Sequence, residues 1–301
     1  YYLNILSKQE QKQIKKEQLN VTLEQIEQTK QQVDVGNKAK GDLLEIKAQA
    51  ARERVELTRA ENELRMAYVD LTQLMNLDST ENFTVYFPDK DTISGRETLN
   101  SADAIYEESV DEFPAIKSAE FNLRSSEKNL NMIKGRRYPE LSIGMGFFTY
   151  YNEIPKNQFD ISYNEQIEEN ISMVAELQLN IPIFNKRRVH NQIQNAKLTL
   201  DDSRLQLEEQ KQNLYKDIQR ARNEAISAYE DYKANIEAVN SSQEAFNYTE
   251  QKYEVGLVDI VEYKVAKKDL TEARLNASQA KYNYFFRLML LEFYRGEELT
   301  L

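Results

Sequence analysis

One pattern occurs twice in this chain, and its two copies align without a gap at an offset of 220 residues, as from Gly36 to Gly256. The copies cover residues 24–76 and 244–296, and each reads as a helix, a Val-Gly turn and a returning helix. A long internal repeat indicates a molecule built from duplicated helical hairpins. Other positions that are identical in both copies are Glu24 and Glu244, Thr29 and Thr249, Arg54 and Arg274, and Leu71 and Leu291.

The composition narrows the class of protein. Of the 301 residues, 30% are charged and only 8 are Gly and 5 are Pro, which is typical of long helices with few loops. A net charge of -11 argues against nucleic acid as the partner, and the lack of cysteine excludes disulfides and thiolate metal sites. No apolar run approaches the roughly 20 residues of a membrane-spanning helix. The chain opens at Tyr1 inside a helical pattern, so we expect a fragment or a processed form.

Apolar residues recur at seven-residue intervals along the helical segments, which predicts left-handed coiled-coil packing. Between residues 185 and 253 there is no Gly or Pro, so one continuous helix of roughly 100 Å is expected. A further helix over 101–134 contains Pro114, which predicts an early helix start or a kink. The rows in the two repeat copies are Leu43, Ala50, Leu57, Leu64 and Leu71, and Leu270, Ala277, Tyr284 and Leu291.

Between the helices the period changes to two, which predicts a β-hairpin with strands over 141–147 and 171–183. One face of each strand is apolar and the other is polar or small. A membrane barrel strand needs about 9–11 residues with this alternation. The aromatic residues Phe147, Phe148, Tyr150 and Tyr151 lie where an interfacial girdle would be. The alternative is a hairpin that packs its apolar face on a soluble core.

Few residues of this chain suit catalysis or metal binding. His190 is the only histidine, so a histidine metal site or catalytic triad is not expected. We predict no catalytic residues, no metal site and no cofactor. Basic residues bracket the strand hairpin at its base, where they face either membrane headgroups or water; they are Arg136, Arg137, Lys186, Arg187 and Arg188.

Several motifs together resemble the TolC-like outer-membrane efflux family. They are Tyr-Pro-Glu-Leu-Ser at 138–142, Leu-Asn-Ile-Pro-Ile-Phe-Asn at 179–185, Tyr-Glu-Val-Gly-Leu at 253–257 and Leu-Glu-Phe-Tyr-Arg-Gly at 291–296. The resemblance implies a mainly α protein with a small β part: long antiparallel coiled-coil hairpins of an α-barrel protomer, and a membrane β-hairpin contributing to a trimeric β-barrel. Two departures matter. Lys186 stands where the family often has Gly, and the family's first strand hairpin is absent, so this polypeptide alone is not expected to form the complete pore.

Aligned with the family pattern, the chain divides into four parts. Residues 1–77 are the helical hairpin that ends the first repeat, and 78–100 are a connector. Residues 101–137 and 185–296 form the helical tunnel part of the second repeat, and 138–184 form the transmembrane hairpin with its extracellular loop.

The resemblance also implies a function, which is passive conduction in the bacterial outer membrane with the helical part in the periplasm. A homotrimer set in outer-membrane lipid would be the exit duct of an export machine, joined by a periplasmic adaptor to an inner-membrane transporter. The predicted adaptor-docking tips are Val35, Gly36, Val255, Gly256 and Leu257.

The resemblance implies a ring of carboxylates that constricts the entrance near these tips, and rings of acids select cations in channels generally. Four acids of this chain are candidates for that ring. They are Asp42, Glu45, Asp259 and Glu262. For Asp42 and Glu262, each six residues beyond the Gly of a tip, an acidic first turn that only stabilises a helix start remains the alternative. For the whole chain, the alternative to an outer-membrane duct is a soluble coiled-coil scaffold with an inserted β-hairpin. An enzyme is the third hypothesis.

Overall fold

The computed structural model describes residues 1–77, 83–86, 100–152 and 162–296. Within these ranges the helices and strands follow in the order α1 (Tyr2–Asp34), α2 (Lys40–Leu74), α3 (Ala102–Ser109), α4 (Pro114–Gly135), β1 (Glu140–Phe148), α5 (Tyr163–Glu169), β2 (Ser172–Asn180), α6 (Arg188–Glu254) and α7 (Ile260–Arg295). Two compact units result. Unit 1 contains Tyr1–Glu112 and Leu214–Leu301, and unit 2 contains Phe113–Asn213. Of the connector predicted over 78–100, only 83–86 and 100 lie within the described residues.

The predicted helical hairpins and the continuous helix over 185–253 are present as α1 with α2 and α6 with α7. Residues 101–134 form two helices, not one. Ser101 caps α3 by accepting a hydrogen bond from the Ala104 N–H at 3.2 Å. Pro114 is in the first turn of α4, where its missing N–H has no partner to lose, so it starts a new helix instead of kinking one.

The core of unit 1 follows the seven-residue rows. In α7, Leu270, Ala277, Tyr284 and Leu291 are all buried, and Ala50 and Leu64 of α2 are buried in the same way. One cluster joins α2, α6 and α7 close to the turns that connect the hairpins, and its buried members are Ile46, Phe246, Tyr253, Ile260, Tyr263 and Leu270. The spacing therefore identified the packed side of each helix.

Unit 2 contains α4, the strand hairpin with α5, and the first turns of α6. The last turns of α4 pack on α6 through a cluster formed by Leu130, Val189, Ile193 and Ala196. The strands pair antiparallel from Glu140 opposite Asn180 to Phe148 opposite Ser172. The second strand is shorter than predicted, because β2 ends at Asn180 and not at Ile183. Pro139 and Pro182 flank the last pair, and neither has an N–H to extend the ladder.

No helix within the described ranges is both long enough and apolar enough to cross a membrane.

Candidate functional site

The two copies of the Val-Gly turn have the same backbone geometry. In the first, Gly36 has φ +81°, its N–H donates to the Val33 carbonyl at 3.0 Å, and the Asn37 N–H donates to Gln32 at 2.8 Å. In the second, Gly256 has φ +76° and its N–H donates to the Tyr253 carbonyl at 3.1 Å. This paired pattern is the Schellman motif, in which a left-handed residue ends a helix. The sequence repeat is therefore a repeat of structure.

The two turns lie side by side in unit 1. The Lys38 Nζ lies 3.4 Å from the centroid of the Tyr253 ring, so a cation–π contact links the first turn to the end of α6. The apolar side chains of the turns stay in solvent, with exposed fractions of 72% for Val35, 70% for Val255 and 74% for Leu257. The predicted docking residues are therefore exposed to solvent at both turns.

The four candidate carboxylates have different local roles. Asp42 and Glu262 are in the first turns of α2 and α7, where an acid stabilises the positive end of a helix. Asp259 caps α7, because its Oδ1 accepts from the N–H groups of Val261 and Glu262 at 2.9 Å each. Glu45 is paired with Lys264 across α2 and α7 at 2.8 Å.

A buried polar cluster between α1, α2 and α7 was not predicted. The ammonium of Lys267 and the carboxylate of Glu53 are 3.7 Å apart, and these side chains are only 9% and 4% exposed. Lys267 donates to the Gln18 carbonyl at 2.9 Å and to the Thr22 hydroxyl. Glu53 accepts from the Thr22 hydroxyl and from the side-chain amides of Gln18 at 3.1 Å and Gln49 at 2.9 Å. Both members of the buried ion pair therefore have hydrogen-bond partners within the protein.

Burial dominates the electrostatics here. It lowers the pKa of Lys267, against the opposing effect of Glu53 and Glu250, and it raises the pKa of the neighbouring Tyr263. A cavity of about 200 Å³ adjoins the cluster and is lined by residues that include Ile46, Tyr263 and Lys267. The sequence did carry a signal, because Glu53 is three residues after Ala50 and Lys267 is three before Leu270, which puts both on the buried side of their helices.

The strand hairpin is exposed on both faces. On its apolar face Leu141 pairs with Leu179, Ile143 with Leu177 and Phe147 with Met173. These side chains are 60–75% exposed, so nothing in the described residues covers them. A soluble hairpin of this length would bury that face on a core. The other face carries Glu140, Ser142, Gly144, Glu176, Gln178 and Asn180 toward the base of the hairpin, and Gly146, Phe148, Ser172 and Val174 toward the loop end.

The predicted girdle aromatics lie at the loop end of this hairpin. Phe147, Phe148, Tyr150 and Tyr151 are 75%, 58%, 59% and 46% exposed. The Tyr151 ring lies 5.1 Å from that of Tyr163, the first residue of α5. His190 is exposed in the first turn of α6, at the base of the hairpin. The described ranges contain no group of three His, Cys, Asp or Glu side chains that could hold a metal ion.

Comparison with known proteins identifies the family. The family profile described as outer membrane efflux protein matches residues 105–293, which is more than half of the chain. The chain belongs to the outer membrane efflux protein family. Membership confirms the resemblance predicted from the motifs, and it places the protein in the bacterial outer membrane with its helical part in the periplasm. The family is one of channels and not of enzymes.

Individual relatives are distant but cover nearly all of this chain. The outer membrane protein TolC of Vibrio cholerae is 23% identical over 290 residues, covering 96% of this chain and 64% of that protein. A membrane protein from Pseudomonas aeruginosa has a TM-score of 0.72 at 18% identity, covering 98% of this chain and 65% of that one. The outer membrane protein VceC of Vibrio cholerae has a TM-score of 0.70 at 13% identity, covering 99% and 68%. These structures confirm the fold class, and the chain spans just under two thirds of the length of the first two relatives.

Proposed function

We propose that the complete protein is a passive exit duct of an export system in the outer membrane. Three copies would join their strands into one barrel and their helices into one tunnel, and cargo would leave through it without any chemical step in this chain. Membership of the efflux family supports this function. The described residues offer rigid helices, buried rows and exposed turns, which suit a conduit.

The observation that carries the proposal is the uncovered apolar face of the strand hairpin. β1 and β2 each have nine residues, which matches the roughly 9–11 residues that a barrel strand needs to cross the hydrocarbon layer. Lipid covers the apolar face in this arrangement, and the polar face turns to a water-filled interior. The aromatic residues at the loop end then lie at the level of the outer headgroups.

At the other functional surface, the paired turns are the docking site for a periplasmic adaptor that connects to an inner-membrane transporter. Val35, Val255 and Leu257 offer apolar anchors, while Gly36 and Gly256 hold the turns in shape. Of the four carboxylates, Asp42 and Glu262 are the stronger candidates for constricting the entrance, since Asp259 caps a helix and Glu45 pairs with Lys264.

Two neighbouring substitutions test the membrane position of the hairpin. Ile143→Arg places a charge on the apolar face, which costs about 2–4 kcal/mol at the middle of a bilayer, and Ser142→Arg places the same charge on the polar face. The protein expressed from its complete gene should require detergent for extraction and should conduct ions in planar bilayers. Ile143→Arg should reduce the amount of assembled channel, whereas Ser142→Arg should retain the channels and change their conductance.

Recovery of the unmodified protein from the buffer-soluble fraction, or equal assembly of both arginine variants, would contradict the duct and support a coiled-coil scaffold.

A further inference from the structure

Five basic residues form a collar at the base of the strand hairpin: Arg136, Arg137, Lys186, Arg187 and Arg188. All five are exposed, and none has an ion-pair partner among the residues that the structure describes. Arg136 donates only a hydrogen bond of 3.4 Å to the side chain of Gln192. The chain as a whole carries a charge of -11, so this local excess of positive charge runs against its composition.

The fold brings the two parts of this basic collar together. Pairing of Glu140 with Asn180 puts residues 136–139 and 181–188 at one end of the hairpin. Packing of Leu130 against Val189 and Ile193 holds the end of α4 next to the start of α6. Apart from Glu140, on the polar face of β1, the segments 128–140 and 181–200 contain no acid.

Local structure does not explain why these cations are here. Lys186 and Arg187 have φ +47° and +63°, a left-handed conformation that is unfavourable for a residue with a side chain. Glycine would adopt it freely. Lys186, Arg187 and Arg188 also lie at the start of α6, whose first turn contains no acid, and the helix dipole disfavours positive charge there. An external anion is the compensation that the described residues lack.

The neighbours of the basic collar point to the kind of anion. Tyr138, Ile183 and Phe184 are 71%, 95% and 83% exposed and lie in the same segments as the cations. Exposed aromatic and aliphatic side chains mixed with Lys and Arg are typical of the boundary between lipid tails and headgroups. The apolar face of the hairpin continues from this boundary toward the loop end.

We propose that the basic collar binds the headgroups of anionic phospholipids in the inner leaflet of the outer membrane. The proposal rests on the membrane position of the hairpin given above. Phosphate groups accept hydrogen bonds from arginine in a bidentate manner, and the apolar neighbours seat the acyl chains of the same lipids. The collar thereby fixes the depth of the hairpin in the bilayer.

The residues of this chain include no tryptophan, and any tryptophan in the remainder of the complete protein is first replaced with phenylalanine, so that one introduced tryptophan can be measured directly. Phe184→Trp places one fluorophore within the basic collar, and Phe147→Trp places one on the apolar face near the loop end. The complete protein carrying either reporter is reconstituted in vesicles of phosphatidylcholine and phosphatidylglycerol in equal amounts. One lipid at a time carries brominated acyl chains, which quench nearby tryptophan, so the ratio of quenching gives the local lipid preference.

At the Phe184→Trp reporter we expect phosphatidylglycerol to be enriched by at least about fivefold over phosphatidylcholine, since a single Lys or Arg near an anionic surface contributes about this factor. The enrichment should decrease with salt. The Lys186→Gln, Arg187→Gln, Arg188→Gln triple variant should lower it several-fold, and Arg136 and Arg137 should retain part of the preference. Equal quenching by both lipids in the unmodified collar, or an unchanged ratio in the triple variant, would overturn the proposal.

A matched control removes the same charge elsewhere. Lys47, Arg54 and Arg65 are exposed on α2, and their replacement with glutamine should leave the lipid ratio unchanged. An equal loss of preference in this control would show a general charge effect and overturn the collar. If brominated phosphatidylcholine quenches neither reporter, the hairpin is not in the bilayer, and the duct and the collar both fail. Quenching without preference removes the collar alone.

Discussion

Replacing Lys267 with methionine tests how the buried polar cluster holds α7 against α1 and α2. Methionine has a similar length and no charge, so the substitution removes the ammonium and leaves the Glu53 carboxylate buried. Removing one partner of a buried ion pair costs about 3–5 kcal/mol. The amides of Gln18 and Gln49 and the Thr22 hydroxyl still donate to Glu53, so we expect the lower end of this range.

The double variant Lys267→Met, Glu53→Met separates pairing from burial. A buried pair replaced by apolar residues of similar size is often neutral or more stable by about 1–4 kcal/mol. We therefore expect the double variant to recover most of the free energy of unfolding that the single variant loses. The side-chain amides of Gln18 and Gln49 lie next to the new methyl groups and can turn toward solvent.

Urea unfolding at neutral pH, followed by far-ultraviolet circular dichroism, measures these free energies for the helical part. Lys264 and Glu45 provide the matched control, because they link the same two helices at 2.8 Å but their side chains are 24% and 52% exposed. Their single variants should lose only about 0–1 kcal/mol. Additive losses in the buried double variant, or equal losses at the buried and exposed pairs, would refute the reasoning.

Three further outcomes are expected. Gly256→Val should abolish export while trimers still assemble, because valine is unfavourable at φ +76°. Gly256→Asn should retain more export than Gly256→Val. Unchanged export in the valine variant would exclude this turn as a docking surface. Burial raises the pKa of Tyr263 and Tyr282 above their ordinary value. Their contribution to stability is therefore fully present below about pH 10 and is lost as the pH rises further. Ultraviolet titration should show these phenols ionising only together with loss of helix. Lys186→Gly should raise the free energy of unfolding by about 1–2 kcal/mol by removing side-chain strain, and no gain in urea unfolding would contradict that strain.

The sequence predicted those features in which the local backbone or the covered side of an element dictates the residue type. Gly36 and Gly256 mark the turns because the left-handed conformation favours glycine. The rows of α7 and the alternation in β1 follow from which side of a helix or strand is covered. Two regular features therefore sufficed to predict the duplicated hairpins and the two-faced strands.

The features that the sequence did not predict depend on contacts between distant segments. Glu53 and Lys267 are charged residues next to the apolar rows, and only the packing of α7 on α2 shows that they pair with each other. The predicted end of β2 was wrong because Ile181 and Ile183 continue the alternation in the sequence. The partner strand begins only at Glu140, opposite Asn180, so nothing pairs with residues beyond Asn180. The pairing of Glu45 with Lys264 was missed for the same reason.

The contact of Lys38 with the Tyr253 ring ties the first turn to the end of α6, beside the second turn. A partner that approaches these turns would meet two surfaces of the same backbone geometry at a fixed spacing. Replacing Lys38 or Tyr253 would remove this contact and loosen that spacing. A binding partner with two copies of the same binding motif could contact both turns at once and would gain avidity, whereas a partner with one copy could bind at either turn.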